Sequence, residues 1–272
     1  MPAPPPVRHQ NLHQKPALSP IFHSTTGPGA HLVLEALAYF VGGRLYWNAT
    51  RHQAQPAQLA DRLLLLGCAI FFAALGSKLL HVGEHLTYLL ASGTSGEWLG
   101  GKSVLGGFIG ATLGVELAKK LIGWRQSTGD AWVSALAAGL IIGRLGCQLS
   151  GTWDQTYGVS TTLPWGWDYG DGIARHPTGL YEMACVAALW GLIRKRWPHA
   201  LGARFAGFLA GYCALRFGLE FLKPPFEPAA SGTLPASLYL GLSAIQWAAL
   251  AGMIGYGLLL RYRLRPEQHQ LH

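Results

Sequence analysis

Charge is what this chain has least of. Of its 272 residues 12% are charged and 50% hydrophobic, where soluble domains carry about 25% charged residues. That scarcity excludes an ordinary water-facing surface over the whole length. Cysteine is sparse too: Cys68, Cys147, Cys185 and Cys213 fall singly within or beside apolar runs. No two have metal-ligand spacing or suggest a disulfide framework, so they read as small packing residues with a tendency to bury. No charged start followed by an apolar stretch is visible, so a cleavable signal peptide is not expected. The formal net charge is +8. A nucleic-acid partner would need a basic patch on a polar surface, whereas these cations sit between apolar segments. The group His81, Glu84 and His85 invites a metal reading, but it lacks a fourth ligand, so no metal is expected there.

What the chain does have is glycine, 36 residues, and tryptophan, ten, which suit membrane helices and their interfaces. Residues 1–28 form a Pro- and His-rich tail that cannot bury enough apolar area to fold alone. Seven apolar stretches follow, at about 30–47, 62–80, 103–122, 131–149, 178–194, 204–222 and 238–260, each near the roughly 20 residues a bilayer requires. The glycine runs 106–114 and 207–212 would let helix backbones approach closely. Residues 81–101 and 150–177 are too polar to span and read as outer loops or short interfacial helices. The expected fold is therefore all-α: a polytopic membrane domain over residues 29–265 with seven transmembrane helices, followed by a short tail at 266–272.

Loop charge sets the orientation. With the N-terminus outside, the inner segments hold Arg44, Arg51 and Arg62; Lys119, Lys120 and Arg125; Arg194, Lys195, Arg196 and Arg204; and Arg261, Arg263 and Arg265. Those thirteen cations stand against six outside, namely Arg8, Lys15, Lys78, Lys102, Arg175 and Lys223. The split follows the positive-inside rule and places the C-terminus in the cytoplasm.

Two basic residues remain, Arg144 in the fourth stretch and Arg216 in the sixth. A cation in the hydrocarbon region costs at least about 2.5–3.5 kcal/mol on insertion scales, so each needs a partner or a task. Arg216 has Glu220 one helical turn away, the spacing at which side chains meet, so an internal ion pair and a ligand role both stand open. Arg144 has no acid within four residues, which favours a ligand. Glu116 lies one turn before Lys120 and reads as an ion pair.

Several ordered motifs surround these arginines. Gly143-Arg144-Leu145-Gly146 is followed by the stretch Trp153 to Gly158, then by Arg175-His176-Pro177-Thr178-Gly179-Leu180-Tyr181-Glu182. Leu215-Arg216-Phe217 with Glu220-Phe221, the run Gly106-Gly107-Phe108-Ile109-Gly110, Tyr39 in the first stretch and Gln246 in the last complete the set. In order and spacing the set resembles the bacterial prolipoprotein diacylglyceryl transferase family. That resemblance implies a multi-pass enzyme of the inner membrane that moves the diacylglyceryl group of phosphatidylglycerol onto a lipoprotein-precursor cysteine, forming a thioether without cofactor or metal. It also implies phospholipid binding by Arg144 and Arg216, with Tyr39, Gly158, Tyr181, Glu182, Glu220 and Gln246 as further substrate-binding positions. Four places depart from the family pattern: Leu105 stands for a histidine, Cys147 for an asparagine and Gly179 for a glutamine, and the signature is longer up to Gly158.

The chemistry needs a clamp for departing phosphate and a base for the nucleophile. Arginine keeps its charge and grips phosphate through two parallel hydrogen bonds. His176 is the best-placed imidazole for the base, its alternative being a residue that merely orders the start of a helix. Glu182 reads as orienting a neighbour or pairing with Arg175, and Tyr39 and Tyr181 as donors to phosphate or glycerol oxygens. Asp154, Asp168, Asp171 and Arg175, with Trp153, Trp165 and Trp167, make the loop 150–177 either a substrate gate or an ordinary aromatic belt. The departures leave two other functions open: the same lipid site with a different acceptor, or a lipid-binding or transport protein without chemistry. The charge split carries a direct test. Reporter fusions after Gln126 and after Pro198 should read as cytoplasmic and fusions near Asp168 as external; a cytoplasmic signal at Asp168 would overturn the seven-span topology.

Overall fold

The computed structural model describes residues 22–23, 27–51, 58–92, 97–154, 156–196, 202–223 and 236–265. Nearly all of the N-terminal tail and all of the C-terminal tail read from sequence lie outside the described residues. Helices α1 (Pro28–Thr50), α2 (Leu59–Ser92), the single turn α3 (Glu97–Gly100), α4 (Val104–Leu121), α5 (Trp132–Leu149), α6 (Thr178–Arg196), α7 (Ala203–Glu220) and α8 (Ala244–Arg263) carry the fold. Each of the seven apolar stretches thus becomes a helix of at least 18 residues. Leu59–Ala91, Trp132–Leu149 and Ala244–Arg263 are long and apolar enough to cross a bilayer by length and composition alone. Along α1 no residue is buried, and Leu32, Val33 and Phe40 there, with Ile70 and Phe71 on α2, are each more than 60% exposed. Helices that present this much apolar surface outward belong in lipid. The chain is an all-α membrane protein.

The helices pair through small residues. A Cβ at Gly106 or Gly110 would collide with the α2 backbone at Gly76 or Phe72, and one at Gly114 would stand 2.5 Å from the Cys68 carbonyl. The glycine run of α4 is therefore the seam on which α2 lies, since lipid offers no hydrophobic drive and close van der Waals contact must supply the attraction. Helix α1 lies on α5 in the same way. Gly146 faces the His31 backbone, where a Cβ would come within 3.4 Å of Cα, and Tyr46 stacks on Trp132 at 4.0 Å. Between α5, α6, α7 and α8 sits the apolar core, with Val133, Val186, Phe208, Leu209, Tyr212 and Ala249 fully buried. The α7 start is capped from a distance: Asp130 accepts from Gly202 N (2.7 Å) and Phe205 N (2.9 Å), satisfying donors that a helix N-terminus leaves open.

Four local expectations are corrected. The polar segment after residue 80 is a continuation of α2 to Ser92, bent at His85 (φ −115°, ψ 17°). At the bend, Ser237 and the β4–β5 hairpin (Leu238–Tyr239 and Leu242–Ser243) take up backbone groups that the helix leaves open. Tyr239 OH donates to Gly83 O (2.7 Å), Ser237 N to Glu84 O (2.6 Å), and Thr87 N turns to Ser237 Oγ (2.9 Å). The last apolar stretch accordingly opens as this hairpin and becomes helical only at Ala244, where Ser243 and Gln246 form a reciprocal capping box. Near the basic end of α4, Glu116 pairs with Lys119 at 2.9 Å and not with Lys120. Of the cysteines, Cys147 and Cys213 are buried as expected, but Cys185 is exposed.

The α2–α4 seam gives a stability test. Gly110→Val drives a branched side chain into the Phe72 carbonyl and should destabilise by about 1–3 kcal/mol or more, as overpacking does. Thermal unfolding in detergent should show a clear loss, while Gly139→Ala, where a Cβ meets nothing within 4 Å, should unfold at the parent temperature.

Candidate active site

The site grows out of one carboxylate. Glu182 lies in the first turn and a half of α6, 2% exposed. Helix α6 can sit this close to α5 because residue 179 is glycine: a Cβ there would come within 3.1 Å of Gln148 Oε1 and 3.5 Å of the Arg144 carbonyl. Tyr212 of α7 donates to Glu182 Oε1 at 2.8 Å. That leaves Oε2 for both arginines, Arg144 Nε at 3.0 Å and Arg216 Nη1 at 3.3 Å. Arg216 also holds Glu220 through Nη2 at 2.8 Å, so the pair read from its helical spacing is present. The long-range partner of Arg144 was invisible in sequence. Glu182 therefore joins Arg144 and Arg216, and not Arg175, whose guanidinium takes Asp171 at 2.6 Å and lies over the Tyr157 ring.

Beside this cluster opens a chamber of about 1200 Å³. Its wall includes His31, Glu35 and Tyr39 of α1, His81 and Glu84 of α2, Gly143, Arg144 and Cys147 of α5, Glu220, Lys223 and Gln246. Tyr39 is 73% exposed and donates to Glu35 at 3.1 Å. Gln246 faces the chamber while its Oε1 accepts from Ser243 N at 2.9 Å. Half-buried Lys223 stands 3.9 Å from Glu220. Burial, and then the charge of Arg216, push its ammonium below the ordinary lysine range, so negative charge arriving there would be welcome. The polar group of α2 that invites a metal reading in the sequence is here too: His81 and Glu84 are buried, and Glu84 Oε2 accepts from Ile245 N at the start of α8 (2.9 Å).

His176, Tyr181 and Gly158 form a second group, outside the chamber wall. Gly158 N donates to His176 O (3.0 Å) and His176 N to Val159 O (3.0 Å). A Cβ at Gly158 would sit 2.7 Å from His176 Cβ and 2.9 Å from Leu222 O, so the glycine lets the loop lie against the end of α7. His176 Nδ1 meets Tyr181 OH at 3.2 Å, and Trp165 Nε1 donates to the same hydroxyl at 2.8 Å. The loop itself is ordered by strands β2 (Trp167–Asp168) and β3 (Ala174–Arg175), antiparallel to each other, with β1 (Phe22–His23) alongside β2 in parallel. Asp168 Oδ1 accepts from Gly170 N at 2.8 Å and Gly172 N at 2.9 Å, closing the turn. Burial works against ionisation of Asp171, but the hydrogen bond and charge of Arg175 and the Ile173 N–H together outweigh it and hold the carboxyl below its ordinary range.

Fold and site together define a polytopic helical membrane protein built around a buried arginine pair that shares one carboxylate beside a large chamber. The model of the prolipoprotein diacylglyceryl transferase family matches residues 32–262, and the chain belongs to that family. It is 34% identical over 258 residues to the phosphatidylglycerol–prolipoprotein diacylglyceryl transferase of Aromatoleum aromaticum, covering 88% of this chain and 91% of that one. The enzyme of the same name from Nitrosomonas europaea is 33% identical, covering 85% of this chain and 87% of the relative. That from Bordetella parapertussis is 34% identical over 87% and 89% of the two chains.

The shared carboxylate gives a test of its own. Glu182→Gln leaves two buried guanidinium groups without their common partner, and breaking a buried pair on one side costs about 3–5 kcal/mol. Denaturation in detergent should show a loss of that order; an unchanged midpoint would mean that Glu182 does not hold the arginines.

Proposed function

We propose that the chain is a phosphatidylglycerol–prolipoprotein diacylglyceryl transferase of the bacterial inner membrane. Residues 29–265 form its seven-span domain, with the N-terminus outside and the C-terminus in the cytoplasm. The observation that carries the reading is the meeting of Arg144 and Arg216, from different helices, at one carboxylate on the edge of the chamber. The basic residues in the last turns of α4, α6 and α8 lie at the opposite helix ends from Arg144, Glu182 and Arg216, which supports a site toward the outer face.

In this reading the lipid phosphate binds Arg144, with Arg216 and Lys223 adding charge behind it. The acceptor thiol, entering past the loop in which His176 lies outside the chamber wall, loses its proton to that imidazole, and its sulfur attacks C3 of the glycerol. The C–S bond forms as the C–O bond to phosphate breaks, and glycerol phosphate departs with the bonding pair. Preorganised donors aimed at this departing charge act in a water-poor site and can supply the largest catalytic contribution. Tyr39, Glu220 and Gln246 line the lipid's space, and Gly158, Tyr181 and Glu182 hold the site's geometry. Of the departures from the family pattern, Gly179 serves helix packing, whereas Leu105 lines the small pocket beside Arg144 and Arg216 and Cys147 stands on the chamber wall.

The test incubates purified protein with labelled phosphatidylglycerol and a lipobox peptide and looks for the thioether product. Arg144→Lys and Arg216→Lys keep charge but lose the planar fork; each should cut turnover by roughly a hundred- to thousandfold. Their combined effect should be less than additive, because groups on one phosphate act as a unit. His176→Gln should lower turnover as well. Full activity in correctly inserted Arg144→Lys would defeat the phosphate clamp and favour a lipid-binding protein without chemistry.

A further inference from the structure

The chamber wall holds a cluster that the arginine site does not use. His31 of α1, Cys147 of α5 and Asp154 of the following loop each offer a ligand atom, and the three atoms lie within 4.8 Å of one another. We propose that His31 Nδ1, Cys147 Sγ and Asp154 Oδ1 bind a single zinc-class divalent cation, with a fourth position open to the chamber.

Four observations carry this. Ligands on one tetrahedral zinc, bound at about 2.0–2.3 Å, stand about 3.5 Å apart, so the cluster needs only small side-chain movements to close on an ion. His31 Nδ1 is buried and makes no hydrogen bond, although Asp154 Oδ1 is 3.1 Å away; the contact is close but misaligned for a proton between the two. The supporting groups are those a metal site needs. The other ring nitrogen, Nε2, faces Glu35 Oε2 at 3.5 Å, Glu35 is itself held by Lys102 and Tyr39, and the Thr156 hydroxyl donates to the far oxygen of Asp154. Metal-bound histidines characteristically donate their second ring N–H to a carboxylate, and Glu35 stands on that side of the ring. Finally, two departures from the family pattern converge here. Cys147 replaces an asparagine, and Asp154 belongs to the lengthened stretch before Gly158.

The donor set of one thiolate, one imidazole and one carboxylate suits zinc, and three protein ligands with an open position is the arrangement of reactive zinc sites. Binding is balanced without redox change: the metal displaces the thiol proton, which passes to solvent, and the thiolate takes its place. Arg144 Nη1 lies 3.8 Å from Cys147 Sγ, so the ion would sit beside the arginine pair.

The test uses the full-length chain without a polyhistidine tag, in lipid nanodiscs, titrated with cobalt(II). One equivalent should bind with a thiolate-to-cobalt charge-transfer band that zinc(II) abolishes by displacement. The histidines of the N-terminal tail cannot produce that band. Cys147→Ser should lose it, Cys185→Ser should keep it, and Glu35→Gln, which spares all three ligands, should weaken binding about 10- to 100-fold. Absence of the band, its survival in Cys147→Ser, or equal affinity in Glu35→Gln and parent would each overturn the site.

Discussion

Two guanidinium groups buried among helices are held by a single carboxylate, and the placement of everything around the chamber follows from it. Glu182 can serve both arginines only because Tyr212 occupies its other oxygen, fixing the carboxylate's rotation. The three charges tie α5, α6 and α7 together at one level. Helix α1 is then placed by its seam on α5, and α8 by its packing on α7, so the residues they bring to the chamber inherit their position from that carboxylate. In a bilayer such a cluster has no water to fall back on, and each charge must be compensated within the protein or by its ligand.

A second constraint works against the first. Helix seams in lipid demand small residues, whereas a chamber demands that helices stand apart. The chain separates the two by position along each helix. Glycines at 76, 106, 110 and 114 close α2 onto α4, and the bend at His85 redirects the polar end of α2 while the β4–β5 hairpin satisfies the backbone groups that the bend frees. Glu84, on the last straight turn, faces the chamber and caps α8 at once.

Much of this was legible in the residues. Seven apolar runs became seven long helices, the glycine run of α4 became a contact seam, and the pairing of Arg216 with Glu220 followed from helical spacing. The limits of α2 and α8 were not legible, because the segment after residue 80 is too polar to span and so reads as a loop or a short separate helix. Its polarity serves the chamber, and its lost hydrogen bonds are replaced by residues about 150 positions away. Glu182 was recognised as an orienting group but given the wrong arginine. Nearness in sequence favoured Arg175, while the fold offers it Arg144 and Arg216 from two other helices. The His31, Cys147 and Asp154 cluster was hidden for the same reason, its members lying on separate segments with no spacing signal. His176 and Tyr181, adjacent in the motif, do meet, but in the loop and not on the chamber wall.

The charge balance around Glu182 bears on why such a site would favour a departing phosphate over a resting one. Arg144, Arg216 and Lys223 face two carboxylates, Glu182 and Glu220, and Lys223 is held below its ordinary range by burial and by Arg216. On the proposed reaction a bound phosphodiester brings one negative charge, and the breaking C–O bond adds a second as the monoester forms. The first charge offsets the excess of cations over carboxylates. The second develops where Arg144 reaches the chamber and where Lys223 stands ready to hold its proton more firmly. Interactions that strengthen as the bond breaks lower the barrier, whereas those equal in both states only tighten binding.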